Sequence, residues 1–350
     1  MLAYLYNMDR KLELRDVPRP RESEGNAIMR VQACSICGTD LRTHRFGSAH
    51  ISVPRIVGHE MTGDLVHVGS ELPGGFSPGM RVNVAPAVGC GACPPCAKGY
   101  TNLCDNLRTL GFQFDGGFAE YMEIPGEVFA RGNVISIPER LRAEDVVLAE
   151  PVACVVNGQE PLKIGPGDSV AVFGGGFIGC MHVRLALIAG AESVTLLEPN
   201  ERRRMQARAL FDDDRGIVSV MDPSESGFDA RIREFTEGRG FDVVITACSV
   251  GSVQSQALSL AAKRGRISLF GGLAGASAGF LDSNLIHYKE LAVHGVHAST
   301  AEQNRRVLRW VEDGTLDLRP YISRTFPLAE IESAFDAIEK ENILKAVIRP

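Results

Sequence analysis

Hydrophobic and polar residues alternate over short stretches through the first ~145 residues, and Gly and Pro break these stretches apart. Residues 27–33, 63–68 and 81–85 each show the period of two that turns one face of a strand to a core and the other to solvent. A β-dominated domain is expected there. From about residue 166 the alternation gives way to continuous β-branched and aliphatic runs separated by segments of helical period, the pattern of a parallel sheet covered on both faces. Predicted strands cover 169–173, 193–198, 217–220, 242–247, 266–270 and 291–295, with helices over 177–189, 201–210 and 253–262 between them. From about residue 321 one amphipathic helix, 328–339, precedes a last strand, 345–348, expected to return to the first domain. No internal repeat is visible, and the one low-complexity patch is 271–279.

Composition narrows the class. A length of 350 residues is comfortable for two domains, and 45% hydrophobic with 23% charged residues is ordinary globular usage. The formal net charge of −6 supplies no basic stripe for nucleic acid. No apolar run approaches the ~18 residues of a membrane span, and residues 1–10 are too short and too polar for a secretory signal. A soluble, cytoplasmic protein without a nucleic-acid or membrane partner is the expectation.

Of the nine cysteines, Cys90, Cys93, Cys96 and Cys104 crowd one loop-like stretch, and the other five do not pair at framework spacings. Core packing does not require sulfur at Cys-x2-Cys-x2-Cys-x7-Cys. Four thiolates aimed at one centre make a closed, structural Zn2+ site, and Gly89, Gly91, Gly99, Pro94 and Pro95 supply the turns. Two disulfides, or an iron–sulfur cluster, are the competing readings; the absence of a secretory signal and the spacing disfavour them.

The strand predicted at 169–173 runs into Gly174-Gly175-Gly176-Phe177-Ile178-Gly179, a Gly-x-Gly-x-x-Gly loop that opens a helix. Such a loop lets main-chain N–H groups approach a pyrophosphate where the helix dipole favours negative charge. The next strand ends at Glu198, about twenty residues on, where a carboxylate can hold the adenosine ribose hydroxyls and would repel a 2′-phosphate. NAD is therefore favoured over NADP. Arg202, Arg203 and Arg204 follow; one of them, Arg203 for instance, could receive a phosphate, although a solvated helix face explains them as well.

A second constellation is scattered: Cys37 in Cys37-Gly38-Thr39-Asp40, His59 and Glu60 in Gly58-His59-Glu60, and Glu150 in Glu150-Pro151. Mixed donors of this kind suit catalytic zinc, which keeps about three protein ligands and an open position. Singly, a Cys is usually a core residue and a His–Glu pair a surface one. Neighbours on a regular strand face opposite ways, so His59 and Glu60 can share a metal only where the backbone bends. Cys37, His59 and Glu150 are the stronger set; Glu60 is a ligand, an exchanging ligand or a supporting group.

These segments, together with Pro78-Gly79-Met80-Arg81-Val82 and Asp115-Gly116-Gly117-Phe118-Ala119-Glu120-Tyr121, occur in the order seen in zinc-dependent medium-chain dehydrogenases, which the chain resembles over essentially its whole length. The resemblance implies a GroES-like, β-rich catalytic domain over 1–150 that carries the cysteine lobe, and a Rossmann NAD-binding domain with a doubly wound parallel sheet over 151–298. It further implies that 299–350 returns to the catalytic domain, that the active site lies in the cleft between domains, and that subunits form dimers or tetramers through coenzyme-domain edge strands. Where ordinary alcohol dehydrogenases carry Cys before the coenzyme domain, this chain has Glu150, which resembles the sorbitol (polyol) dehydrogenase branch. The threonine dehydrogenase branch is similar, but typically shows Asp-Pro-Phe-Gly-Asn where this chain reads Glu150-Pro151-Val152-Ala153-Cys154.

The implied activity is zinc-dependent interconversion of a secondary alcohol of a polyol, sugar alcohol or cyclitol with its ketone, by hydride transfer to NAD. Threonine-type amino alcohols are the alternative substrate. A zinc- and NADH-binding sensor without turnover is the contrasting class, against which the complete Cys37, His59 and Glu150 set argues. Thr39 can pass the alcohol proton outward through its hydroxyl. Where the family often carries a relay His this chain has Arg42, so either His44 replaces that relay or Arg42 binds an anionic substrate group. Asp40 and Asn157 are candidate supporting groups, Phe46, Phe112 and Phe114 candidate pocket walls, and Gly271 with Gly272 a candidate approach for the nicotinamide. Cys154, Cys180 and Cys248 read as packing residues in element interiors, and His287, His294 and His297 receive no role.

Overall fold

The computed structural model describes residues 1–273 and 281–350; residues 274–279 of the low-complexity patch lie outside the described residues. Two compact units divide the chain: Met1–Ala153 with Ala298–Pro350, and Cys154–His297.

The first unit is built on a seven-stranded sheet ordered Val134–Ser136, Arg81–Val84, Glu60–Val68, Asn26–Ser35, Ala346–Arg349 and Arg324–Pro327, with Tyr121–Pro125 also paired to Asn26–Ser35. Met29, Met61, Leu65 and Met122 from its strands join Tyr4, Tyr6, Phe118 and the helical Phe335 in a single core. Leu2–Tyr6, Leu12–Asp16 and Arg55–Ile56 form a smaller sheet over part of it. Register decides what the unit can hold. Ser35 pairs with Glu60, so the chain leaves one strand for Cys37 where its neighbour begins after His59. On the other edge Val347 pairs with Ser35, which brings Lys345 to the same end of the sheet. At Gly63 an added Cβ would meet the Arg30 carbonyl oxygen at 2.2 Å, so the irregular register there requires glycine.

The second unit is a six-stranded parallel sheet ordered Val218–Met221, Ser193–Leu197, Ser169–Phe173, Phe241–Thr246, Ala261–Leu269 and Ala292–Gly295. In chain order this is 3-2-1-4-5-6, the doubly wound arrangement, whose order reverses beside the Ser169–Phe173 strand. All six predicted strands are present. The fifth begins earlier than expected, because Ala261 pairs with Phe241 and ends the preceding helix at Leu260. Helices Phe228–Phe235 and Ser283–Lys289 fill further connections between these strands, whereas Ala301–Glu312, in the first unit, was not foreseen. The predicted helix at 328–339 opens as a short 3-10 turn, Leu328–Glu330, and runs as α-helix over Ile331–Glu341. Cys248 lies in a bend beyond the Phe241–Thr246 strand rather than inside it, since the ladder to the fifth strand stops before it. Among the described residues no helix is long and apolar enough to cross a membrane.

Candidate metal centres and dinucleotide loop

In the cysteine lobe, positive φ at Gly91 (76°) and Gly99 (88°) lets the chain double back, and one ligand atom from each of Cys90, Cys93, Cys96 and Cys104 lies within 4.8 Å of all the others. Main-chain N–H groups donate to the sulfurs: Cys90 N to Cys104 Sγ at 3.1 Å, Cys93 N to Cys90 Sγ at 3.4 Å and Asn106 N to Cys104 Sγ at 3.3 Å. The donors from Ala92 and Cys93 pull the Cys90 thiol down to about 6, so it is readily a thiolate. None of these cysteines is in a disulfide. Four sulfurs converging in a cradle of amide donors fit a closed tetrathiolate Zn2+.

The second constellation assembles around the register just described. Ligand atoms of Cys37, His59 and Glu60 all lie within 4.8 Å of one another. Glu60 opens its strand and follows Gly58 at φ 93°, so the bend that adjacent ligands require is present, and Glu60 faces the same centre as His59. Glu150, buried in the first turn of Ala149–Gln159, is not part of this three-residue cluster. Asp40 supports both other ligands. Its Oδ2 accepts the Cys37 N–H at 2.8 Å, and its Oδ1 lies 3.5 Å from His59 Nδ1, a buried ring nitrogen without a formed hydrogen bond. Burial alone would lower the His59 pKa, but Asp40 and then Cys37 outweigh it and raise it well above the usual range. A Cys, a His and a carboxylate, with a second carboxylate oriented behind the ring, fit a zinc site that is not closed by protein.

Glu60 is fully buried and does not stand alone. Lys345 Nζ contacts Glu60 Oε2 at 2.6 Å and Oε1 at 2.9 Å and donates to the Ile36 carbonyl at 2.8 Å, and the Ser35 hydroxyl donates to Oε2. Burial opposes the Lys345 charge, but Glu60 raises its pKa, so the pair is an ion pair. No sequence signal linked positions 60 and 345.

The remaining candidates separate. Thr39 follows Cys37 in the first turn of helix Gly38–Phe46. His44 turns toward the Ile331–Glu341 helix, with Nε2 3.0 Å from Glu332 Oε2 and its ring stacked on Phe335 at 4.7 Å; among the described residues no hydrogen bond joins it to Thr39. Arg42 is exposed. Phe112 lies 5.5 Å from the His59 ring, centroid to centroid, whereas Phe114 carries the Arg108 guanidinium and Phe46 is 79% exposed. Asn157 donates to the His297 carbonyl.

In the second unit, Gly174 adopts φ 104°, and a Cβ on Gly179 would sit 1.7 Å from the Gly174 oxygen. Helix Phe177–Ile188 starts at this loop, with Gly176 as its N-cap and Phe177, Ile178 and Gly179 in its first turn, leaving N–H groups at its end. Glu198 is buried behind the loop, its Oε2 accepting the Gly175 N–H at 2.6 Å and its Oε1 the Asn200 N–H at 2.8 Å. Arg204 is committed to the wall, donating to the Glu198 and Pro199 carbonyls at 3.0 and 2.6 Å and pairing with Asp222 at 2.9 Å. Arg203 is half-buried beside it, its main-chain N–H capped by Asn200. Gly271 donates to the Thr246 carbonyl at 2.8 Å, and a Cβ there would meet the Cys248 oxygen at 2.2 Å. Sequence reasoning did not foresee His182, fully buried on the first helix. It is held by Gln159 at 3.2 Å and faces Phe270 edge-on at 4.8 Å, and burial brings its pKa down to about 3.

Two family models match the chain: the alcohol dehydrogenase GroES-like domain over residues 23–139 and the zinc-binding dehydrogenase domain over 178–313. The chain is 32% identical to the L-threonine 3-dehydrogenase of Pyrococcus abyssi, across 96% of this chain and 94% of that protein. The chain belongs to the zinc-dependent alcohol dehydrogenase family. As a member of that family it is an oxidoreductase that works with zinc and NAD(P). A further relative, the L-galactonate-5-dehydrogenase of Escherichia coli K12, is 29% identical over 95% of this chain and 94% of its own length. Among solved structures, a zinc-binding dehydrogenase of Sinorhizobium meliloti 1021 bound to NADP superposes with a TM-score of 0.89 at 30% identity, covering 100% of this chain and 99% of that one.

Proposed function

We propose that this enzyme oxidises a secondary alcohol of a polyol, sugar alcohol or cyclitol to the ketone, reversibly, with NAD. The first unit serves as the catalytic domain and the second as the coenzyme domain. The observation that carries this reading is the convergence of Cys37, His59 and Glu60 within 4.8 Å. Zinc held by these residues, with Glu150 as a further or exchanging ligand, would acidify a bound hydroxyl and polarise a bound carbonyl, and NAD would accept the hydride. Asp40 orients His59 and holds the backbone of Cys37. Lys345 is the cation beside buried Glu60 and would compete with a metal for its oxygens. Thr39 passes the alcohol proton outward through its hydroxyl. Glu198 supplies two acceptor oxygens for ribose hydroxyls once its amide partners yield, and its charge disfavours a 2′-phosphate, with Arg203 the candidate to offset that charge. The cysteine lobe holds a second, structural zinc. A homodimer or homotetramer in the cytoplasm is the setting that the family resemblance favours.

Similarity to L-galactonate-5-dehydrogenase, whose named substrate is polyhydroxylated, supports the polyol reading. Similarity to L-threonine 3-dehydrogenases supports amino-alcohol oxidation as the second reading. NADH formation by zinc-replete enzyme across polyols, cyclitols, sugar acids and threonine separates them. The proposal expects its highest kcat/KM on a polyhydroxylated substrate; a preference for threonine would replace it with the second reading.

A further inference from the structure

We propose that Tyr4, Glu332 and His44 form a positioning node for the metal centre, acting through Asp40 on His59 and Cys37. This rests on reading Cys37, His59 and Glu60 as ligands of the catalytic metal.

Helix Gly38–Phe46 carries Asp40, yet it has little to hold it in place. It spans nine residues, buries only Asp40 and Thr43, and has two apolar side chains, Leu41 packed partly on the core and Phe46 79% exposed. A helix this short does not persist without tertiary anchors. Its anchors are polar and come from the chain's last helix: His44 Nε2 lies 3.0 Å from Glu332 Oε2, the His44 ring stacks on Phe335 at 15°, and Arg45 Nε donates to Glu339 Oε1 at 2.6 Å. The second Glu332 oxygen accepts the Tyr4 hydroxyl at 2.5 Å. Tyr4 is fully buried, with its ring 6.5 Å from Phe118 and 5.8 Å from Phe335. Phe118 in turn fills the space over Gly58, where a Cβ would meet its ring at 2.8 Å, one residue before His59. Glu332 therefore ties the helix that bears Asp40 to the side chain that backs the turn bearing His59. A one-ångström shift of either would open the 3.5 Å Asp40–His59 approach. Among the described residues Tyr4 and Glu332 make no hydrogen bond to Cys37, His59 or Glu60, so their effect on the metal would pass through the placement of Asp40.

The test uses the full chain loaded with zinc, or with Co2+ as a visible reporter of ligand geometry. Zinc affinity of the second site is measured by chelator competition beside the unfolding midpoint. Tyr4→Phe removes one oxygen and keeps the ring, and Glu332→Ala removes the link. Both should weaken that site about tenfold and shift the Co2+ visible bands while the lobe metal stays bound. His44→Gln, which can still donate to Glu332, should lie closer to wild type than His44→Ala. Unchanged affinity and Co2+ bands in Tyr4→Phe and Glu332→Ala, whatever the midpoint, would overturn the node. A wild-type chain that takes up only the lobe metal would overturn the ligand reading itself, and the node with it.

Discussion

Replacing Lys345 by Met removes the only cation that contacts buried Glu60 among the described residues, at nearly constant volume. At 2.6 Å and an effective dielectric near 20, the attraction between the two charges is roughly 6 kcal/mol, against a desolvation cost of several kcal/mol for each ion. The pair therefore adds little net stability, but losing one member leaves Glu60 charged and unpaired in the core, which costs about 3–5 kcal/mol. In metal-free protein the Lys345→Met variant should unfold some 10 °C below wild type, taking about 2–4 °C per kcal/mol. Zinc should rescue it disproportionately, because a divalent cation at the Cys37, His59 and Glu60 cluster neutralises the same carboxylate and no longer competes with an ammonium for its oxygens. Differential scanning of apo and zinc-loaded wild type, Lys345→Met, Glu60→Gln and the double variant gives the coupling directly. The expected pattern is a large apo penalty, a smaller zinc-loaded one, and relief of the penalty by Glu60→Gln. An equal penalty with and without zinc, or no relief in the double variant, would mean that Lys345 and the metal do not share the Glu60 carboxylate.

Gly179→Ala, which forces a Cβ to 1.7 Å from the Gly174 oxygen, should displace the loop and raise the NADH dissociation constant at least tenfold in a fluorescence titration, with zinc content unchanged. Glu198→Ala should narrow the preference for NAD over NADP by an order of magnitude or more in kcat/KM, since it removes the charge that opposes a 2′-phosphate. His182 makes a pH-dependent contribution: with a folded pKa of about 3 and an unfolded value near 6.5, both states are neutral above pH 6.5, and below it only the unfolded chain takes up the proton. Wild type should therefore lose about 2 kcal/mol between pH 7 and pH 5 relative to His182→Leu, by denaturant unfolding at each pH. Cys96→Ser should remove close to one zinc per chain by elemental analysis and lower the unfolding midpoint.

Features carried by local spacing were legible in the sequence. The cysteine lobe and the glycine loop with Glu198 behind it depend on contacts within a few tens of residues, and each strand of the parallel sheet is marked by its own apolar run, although Ser169–Phe173 finds its partner Phe241–Thr246 much further along the chain. What was not legible depends on register. Glu60 was discounted because strand alternation would turn it away from His59, yet it is the first residue of its strand, and the backbone bends at Gly58. Lys345 reaches Glu60 across 285 positions, and Tyr4 reaches Glu332 across 328, because the last strand pairs with Asn26–Ser35. No composition or periodicity marks such partners. The Ala301–Glu312 helix was missed for a different reason: its many Arg and Glu residues obscure the buried Val307 and Leu308 that anchor it.

On this reading the three-residue cluster holds the zinc on which turnover depends, separately from the lobe. The most direct measurement is NADH formation from the best polyol as metal-free enzyme is titrated with zinc, for wild type and Cys37→Ser. Activity should rise only with the second equivalent, after the tetrathiolate lobe has filled, and Cys37→Ser should take up one equivalent and stay inactive. Full activity at one equivalent, or turnover by Cys37→Ser comparable with wild type, would contradict it.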